Sequence, residues 1–401
     1  PDAVEDTGVV DTTPDAVEDT GVADTTPDAV EDTGIVIDLP TIDPTTLSGP
    51  PYLMWVTQTG VSVRWETSAA TVGRVYWGLQ PGFFDGVVTE SSARTTHEVR
   101  LEGLPVGTTI YYAPAFDAVV VPTKSFRTAP SEDTGDFSFV VWGDNQDGPA
   151  NFRVMTPRMA ALDPDFAMSS GDCVQNGTRG EYRSQLLAPL TALASSVPFL
   201  VGAGNHERYS DAGAALFNEY MSQPGDEHCF GWRYGTLYVQ FIDTELSVDP
   251  GSAQRSCIED GLGSDLAQSA TWRAAIFHKP PRIEYWFGGA LAFTDSMEAP
   301  QVREQLEPLL ESFGVQIVFN GHNHLYAHTP TTDGGITWVT TGGAGGYLDQ
   351  QSFIWRVGDW PEIATQISEF HFLQVQVTPD DMTVRAISRS GSLLHTFSIA
   401  P

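Results

Sequence analysis

Positive charge is scarce in this chain: 20 Lys and Arg stand against 52 Asp and Glu in 401 residues, a formal net charge of −32. Such a surface repels polyanions, so no nucleic acid is expected as a partner unless a local cationic centre such as bound metal intervenes. Cysteine is scarcer still, at Cys173, Cys229 and Cys257 only. Cys229 and Cys257 flank an apolar strand pattern, Leu237 to Ile242, and are placed to pair in an oxidising compartment. Cys173 is then the odd one left and reads as a small buried filler. No apolar run is long enough to span a bilayer. No signal peptide is visible either, because the chain opens on Pro1 inside a repeat, which reads as a processed or truncated start. What the chain does have is apolar substance: 41% hydrophobic and 11% aromatic residues. At this length, two domains are the default expectation.

Residues 1–50 carry thirteen Asp or Glu and no Lys or Arg. PDAVEDTGVVDTT, PDAVEDTGVADTT and PDAVEDTGIVIDL begin at Pro1, Pro14 and Pro27, a period of thirteen residues. A few Val and Ala among Asp, Glu, Thr and Pro do not offset the entropy of ordering, so the segment is expected to be a disordered, self-repelling stalk. The ordered ligand spacing of a calcium loop is missing. From 51 to 130 the pattern changes to short alternating strands, as at Val61, Val63 and Trp65 or Val75 and Trp77, punctuated by Gly and Pro. That cadence predicts an all-β, seven-strand sandwich of immunoglobulin or fibronectin-III type. No chemically competent cluster falls in it, and His97 reads as a surface strand residue.

After a polar linker at 131–135, residues 136–401 alternate strand and helix patterns, an α/β signature. Apolar runs are predicted as strands at 137–142, 166–170, 199–202, 272–277, 316–319 and 337–341. Helical stretches are predicted at 180–194 and 301–313, and strands return at 371–377 and 382–387. Five of these strands end in polar clusters: Gly-Asp144-Asn-Gln146; Gly-Asp172 through Gly177; Gly-Asn205-His206-Glu207; His278; and Gly-His322-Asn-His324. Ligands bind at the carboxyl ends of strands in open α/β sheets, so the five are expected to converge. Asp, Asn and His suit Zn, Mn or Fe, and a two-metal site needs about six to eight such donors. Singly, each cluster is an ordinary turn or core histidine; together they point to a dinuclear centre.

This order of motifs resembles the calcineurin-like metallophosphoesterase family, and 51–130, ending Phe126-Arg-Thr-Ala-Pro130, resembles the N-terminal domain of purple acid phosphatases. The resemblance implies a four-layer β-sandwich flanked by helices, preceded by the fibronectin-III-like sandwich. It implies that Asp172 bridges two metal ions, that Asp144 and His324 hold the first, and that Asn205, His278 and His322 hold the second. His206 would bind no metal but would stand by the phosphate and leaving group, while a hydroxide held between the metals attacks phosphorus in line. Two positions depart from the family pattern. Gln146 stands where a histidine ligand is commonest, which weakens the first metal's hold. Gln175 stands where the phenolate that colours purple phosphatases would be, so a colourless enzyme is expected and selection for Fe(III) is in doubt.

Tyr326 either edges the pocket or packs, and Arg282 is read as a solvated loop residue. Gly342 to Gly346 lacks the Lys-Ser/Thr ending of a phosphate loop. His228, His328, His371 and His395 have no ligand spacing. The reading is an exported hydrolase of phosphate monoesters, extracellular, periplasmic or at the cell surface. It would act on small phosphorylated substrates, and its stalk would serve as a surface or membrane tether. Its rivals are a phosphodiesterase of nucleotides or phospholipid head groups, and a non-catalytic attachment protein on a degenerate phosphoesterase fold.

Overall fold

The structure, a computed structural model, describes residues 47–286, 301–331, 335–349, 355–356 and 358–401. The repeats lie outside the described residues, apart from the end of the 1–50 segment, as do residues 287–300. Eight strands come first: β1 (Leu47–Met54), β2 (Val61–Thr71), β3 (Gly73–Gly78), β4 (Gly86–Thr89), β5 (Arg94–Leu101), β6 (Thr109–Phe116), β7 (Val119–Val120) and β8 (Lys124–Arg127). The next group runs β9 (Phe137–Trp142), β10 (Phe166–Ser169), β11 (Phe199–Val201), β12 (Phe230–Tyr234), β13 (Leu237–Phe241), β14 (Trp272–Ile276), β15 (Tyr285–Trp286) and β16 (Ile317–Asn320). The last are β17 (Tyr326–Thr329), β18 (Thr337–Thr341), β19 (Trp355–Arg356), β20 (Thr365–Ile367), β21 (His371–Val377), β22 (Met382–Ser388) and β23 (Leu393–Ile399).

Two large sheets form the body. One has nine strands in the order β23-β22-β21-β9-β10-β11-β1-β2-β5, the other seven in the order β12-β13-β14-β16-β18-β17-β20. Strands β9, β10 and β11 are mutually parallel, and so are β13, β14, β16 and β18. Side chains alternate faces along a strand, and the core follows that period. Phe139 and Phe166 of the first sheet meet Trp232, Tyr234 and Phe319 of the second in one apolar cluster. Phe166 stacks on Phe139 at 4.7 Å and meets Trp232 edge-on at 4.8 Å, so Phe166→Ala would cost about 3–5 kcal/mol. On the outer face of the first sheet, Val140 and Trp142 pack against Phe152, Met155 and Met159 of the helix Pro149–Ala161. Outside the second sheet, Ala275, Phe277 and Val318 pack against Ile258 and Leu262 of the helix Ala253–Gly263 and against Leu306 and Leu310. The result is an α/β sandwich of four layers, helix, sheet, sheet, helix.

The first eight strands are divided. β3, β4, β6, β7 and β8 form a sheet of their own, while β1, β2 and β5 continue the nine-stranded sheet through one parallel pair, Met54 with Phe199. Residues 61–67 of β2 are buried on both faces for that reason. Val61, Val63 and Trp65 face the core, whereas the Ser62 hydroxyl accepts from Ser222 Oγ at 2.8 Å and Arg64 donates to the Met221 carbonyl at 3.2 Å. His97 is not a surface residue: it is fully buried, stacked on Trp65, with Nδ1 2.7 Å from Glu90 and Nε2 2.8 Å from Thr67. It lies opposite Trp65 in the β2–β5 pair, and its alternation with Val99 and Leu101 places it on the core face.

The stretch predicted as a helix over 180–194 is broken into a capped turn at Arg179–Glu181, a π-helical turn at Tyr182–Leu187 and a short helix at Ala188–Leu190. Pro189 is the physical reason, because it has no N–H for the Gln185 carbonyl four residues back. That carbonyl accepts instead from Asn145 Nδ2 at 3.0 Å. Likewise, the π-helical turn Val302–Leu306 runs into Pro308. Cys229 and Cys257 form a disulfide, and Cys173 is a buried free thiol.

Candidate metal centre

The loops after β9, β10, β11, β14 and β16 bring the five clusters to one end of the sandwich. Three residues there, Asp144, Asp172 and His322, hold left-handed backbone with φ of 61°, 52° and 67°. Non-glycine residues adopt that region only at a cost, and such strain concentrates where side chains must be aimed. Small neighbours are needed too: a Cβ on Gly204 would lie 2.2 Å from Asp172 Oδ1, and one on Gly321 2.3 Å from Asp144 Oδ2.

Asp172, His278 and His322 are buried, and their donor atoms lie within 4.8 Å of one another. Asp172 Oδ2 is 2.9 Å from His278 Nε2, which is 3.2 Å from His322 Nδ1. Asp144 stands beside them, with Oδ1 3.4 Å from His324 Nε2 and 4.0 Å from His278 Nε2. Both Asp144 oxygens accept the His322 backbone N–H, at 2.9 and 3.0 Å. Backbone carbonyls fix three of the rings. Nδ1 of His278 donates to Ser170, that of His324 to Tyr347, and that of His206 to Gln175, at 3.0, 2.6 and 2.7 Å. Each therefore turns Nε2 inward, the arrangement by which proteins orient metal-binding imidazoles. His206 Nε2 is 3.7 Å from Asp172 Oδ2. Asn205 sends its Nδ2 to Tyr209, and its Oδ1 is buried without a partner.

Gln146 is buried, with Nε2 3.1 Å from His324 Nε2 and Oε1 unpartnered. Two orphaned amide oxygens, Gln146 Oε1 and Asn205 Oδ1, beside carboxylates and inward-turned imidazoles, are a donor set that fits borderline or hard metal cations. Electrostatics agree. Burial alone would lower His278, yet Asp172 and Asp144 raise it to about 10. Burial is likewise overcome at His324, which Asp144 raises to about 9. Burial and the neighbouring His278 hold His322 well below the ordinary histidine range. Asp172, despite burial, is held below the carboxylate range by His278 and His206. The site is thus shaped for positive charge between its carboxylates.

Several residues contribute in roles that the sequence motifs did not assign. The Glu207 carboxylate accepts the backbone N–H groups of Asp172, Cys173 and Gly204 at 3.1, 2.7 and 2.8 Å, tying two loops together. Burial, with the Asp172 charge nearby, pushes it up to about 8. Buried Asp349 accepts from the His324 N–H at 2.9 Å and Asn323 Nδ2 at 2.7 Å. Gln185 Oε1 accepts from Asp147 N at 3.2 Å and Gln175 N at 2.8 Å. A pocket of about 250 Å³ opens over the cluster, bordered by Gln146, Gln175, His206, His322, His324 and Trp286. Tyr326 is not at its edge: it is fully buried, its hydroxyl 2.9 Å from His395. Arg282 is not a solvated loop residue, because it pairs with Glu307 and Glu362. The Gly342–Gly346 run lies against the site: Gly346 borders the pocket, and its N–H donates to the Asp144 carbonyl at 2.9 Å.

Residues 137–326 match the family model for calcineurin-like phosphoesterase, a span that holds all seven predicted site residues. Purple acid phosphatase 15 of Arabidopsis thaliana is 26% identical over 326 residues, covering 71% of this chain and 57% of that protein. Purple acid phosphatase 22 of the same plant is 25% identical, covering 63% of this chain and 60% of that one. The chain thus spans under two thirds of the length of these relatives. Another, at 28% identity over 41% of this chain and 29% of its own length, is named probable inactive purple acid phosphatase 27. Among solved structures, a purple acid phosphatase from yellow lupin (Lupinus luteus) seeds superposes with TM-score 0.75 at 18% identity, covering 87% of this chain and 74% of that one. PhoD superposes with TM-score 0.69 at 14% identity, covering 90% and 91%. Residues 137–326 therefore match a calcineurin-like phosphoesterase domain, the chain is similar to purple acid phosphatases, and its fold is a mixed α/β sandwich of their type.

Proposed function

We propose that this protein hydrolyses phosphate monoesters at a dinuclear metal centre. The observation that carries the proposal is the buried triangle of Asp172, His278 and His322, with Asp144 and His324 at its side and His206 turned toward the same carboxylate. Asp172 would be shared by two ions, Asp144 and His324 would complete one set of ligands, and Asn205, His278 and His322 the other. Zn, Mn or Fe ions so held would neutralise phosphate oxygens and lower the pKa of a bound water enough for it to attack phosphorus. The chain's own part is orientation and proton transfer. With Nδ1–H engaged by the Gln175 carbonyl, His206 offers Nε2 to the substrate; protonated there, it can donate to the leaving oxygen.

Residues 51–130 are read as a fibronectin-III-like accessory domain, and the acidic repeats as a stalk holding an exported enzyme away from a surface. No helix among the described residues is long and apolar enough to cross a membrane. With Gln175 in place of a phenolate ligand, the metallated enzyme should be colourless, and an intense visible charge-transfer band would contradict that.

The test is metal content by elemental analysis, with turnover of a chromogenic monoester before and after chelation. Two ions per chain and chelator-sensitive turnover are expected. His206→Ala should retain the metal and lose about 100-fold or more in turnover. A faster rate on the matching diester would favour the phosphodiesterase reading. A non-catalytic attachment protein has one feature in its favour, the amide at Gln146, and stable metal binding without turnover would support it.

A further inference from the structure

The pocket says what kind of ester the centre takes, granted the phosphoesterase reading above. Its border has no Lys or Arg among the described residues. The cations that the site loops carry are engaged elsewhere. Arg208 bonds Asp243, Lys279 Nζ is 2.7 Å from Glu245, and Arg282 is held by Glu307 and Glu362. Segments outside the described residues add none, since 1–46, 287–300, 332–334, 350–354 and 357 contain no Lys or Arg. Arg356 pairs through its backbone with Tyr285 in the β15–β19 ladder.

What the rim offers instead is aromatic and acidic. Tyr347 is 73% exposed and borders the pocket, and Tyr209 is 58% exposed with its ring 4.3 Å from that of His206. Trp286 lies with its ring 4.8 Å from that of His322. Asp147, exposed at the mouth, adds negative charge to a chain of net charge −32. Trp286 and Tyr347 at the border, with Tyr209 against the ring of His206, supply faces for a planar apolar group. A second phosphate would meet carboxylates and no guanidinium or ammonium, which disfavours both its approach and its seating.

We propose that the site selects esters with a single phosphoryl group and an aromatic leaving group, and rejects substrates that carry further phosphates. The experiment uses the full chain loaded with metal, and compares kcat/KM for 1-naphthyl phosphate, glycerol 2-phosphate and inositol hexakisphosphate at low and high salt. At low salt the naphthyl ester should exceed glycerol phosphate by about tenfold, and the hexakisphosphate by about 100-fold or more. The second gap should narrow with added salt, because the repulsion is screened. Tyr209→Leu and Tyr347→Leu should each lower the naphthyl-to-glycerol ratio about threefold. Asp147→Lys should raise the hexakisphosphate-to-naphthyl ratio about tenfold. Equal or greater kcat/KM on the hexakisphosphate overturns the proposal. So does its loss in Arg356→Ala, which would reveal a phosphate-binding cation. No turnover of any ester with metal bound would overturn the phosphatase reading and this one with it.

Discussion

The two sides of the proposed dinuclear centre are unequally built. On one side Asp172, His278 and His322 form a buried cluster within 4.8 Å, with His278 locked by the Ser170 carbonyl. On the other, Asp144 and His324 are 3.4 Å apart, and the third neighbour is the Gln146 amide 3.1 Å from the His324 ring. An amide oxygen is a neutral, weaker donor than an imidazole nitrogen, so the second half should hold its ion less tightly. The lesson is that a metal centre is graded by its poorest ligand. Its activity should depend on metal supply even when one ion never leaves.

Removing what the halves share should have the largest effect. Asp172→Asn is expected to abolish binding of both ions and cut turnover by about 1,000-fold or more; elemental analysis with kinetics on the same sample checks this. Next comes the contrast between halves. His278→Ala should weaken the tighter ion by about 100-fold, while His324→Ala should empty the weaker half and leave the tighter ion in place. Calorimetric titration resolves the two events, and equal losses in both variants would show that the halves are alike.

Much of this site was legible in the sequence because four of the five loops carry their own glycine and candidate ligand at the end of an apolar run, and the fifth offers His278 there. Asp144, Asp172, Asn205-His206, His278 and His322-Asn-His324 announce themselves locally. What was not legible is held by long-range bonds to backbone. Glu207 reaches the N–H groups of Asp172 and Cys173, 35 and 34 residues away, and Asp349 reaches His324 across 25. Nothing in a run of residues marks a carboxylate as a partner for another loop's N–H. The helix Pro149–Ala161 was missed because Thr156 interrupts its apolar stripe and Pro157 sits inside it, though Phe152, Met155, Thr156 and Met159 are the buried face. The joining of β1 to β11 rests on one pair, Met54 with Phe199, and no local pattern encodes it.

A smaller effect should come from Gln185, which touches none of the predicted ligands. Its Oε1 takes N–H groups from Asp147 and Gln175, and its carbonyl, freed by Pro189, takes Asn145 Nδ2. It therefore fixes the Gln146 loop of the weaker half against the loop that holds His206. Gln185→Ala should cost about tenfold in kcat with little change in KM, since misplacement of aligned groups is paid in the transition state. Gln185→Glu, which keeps the accepting oxygen, should recover most of the loss. To sharpen the contrast from the other direction, Gln146→His should bind the weaker ion several-fold more tightly.

The smallest effect is one of acid, and it should fall on the weaker half first. His371 on β21 is fully buried, its Nε2 3.1 Å from Thr341 Oγ1 and its Nδ1 2.8 Å from the Glu369 carbonyl, with the Tyr326 ring edge-on at 5.6 Å. Its N–H holds the Gly343 carbonyl, in the turn whose Gly346 binds the Asp144 carbonyl. Burial lowers His371 to about 4, against an ordinary value of 6.5. The folded state thus binds fewer protons than the unfolded state between these values. The stability His371 contributes is complete above pH 6.5 and is lost as pH falls toward 4, on the order of 2 kcal/mol by pH 5. Urea melts at pH 7 and pH 5 should show that loss, and His371→Phe should flatten it by the share His371 carries. Amide exchange at Ala344 and Gly346 should quicken over the same interval before exchange at Cys173 and Gly204 beside the tighter half. Simultaneous loss of protection in both loops would mean that the two halves open as one unit.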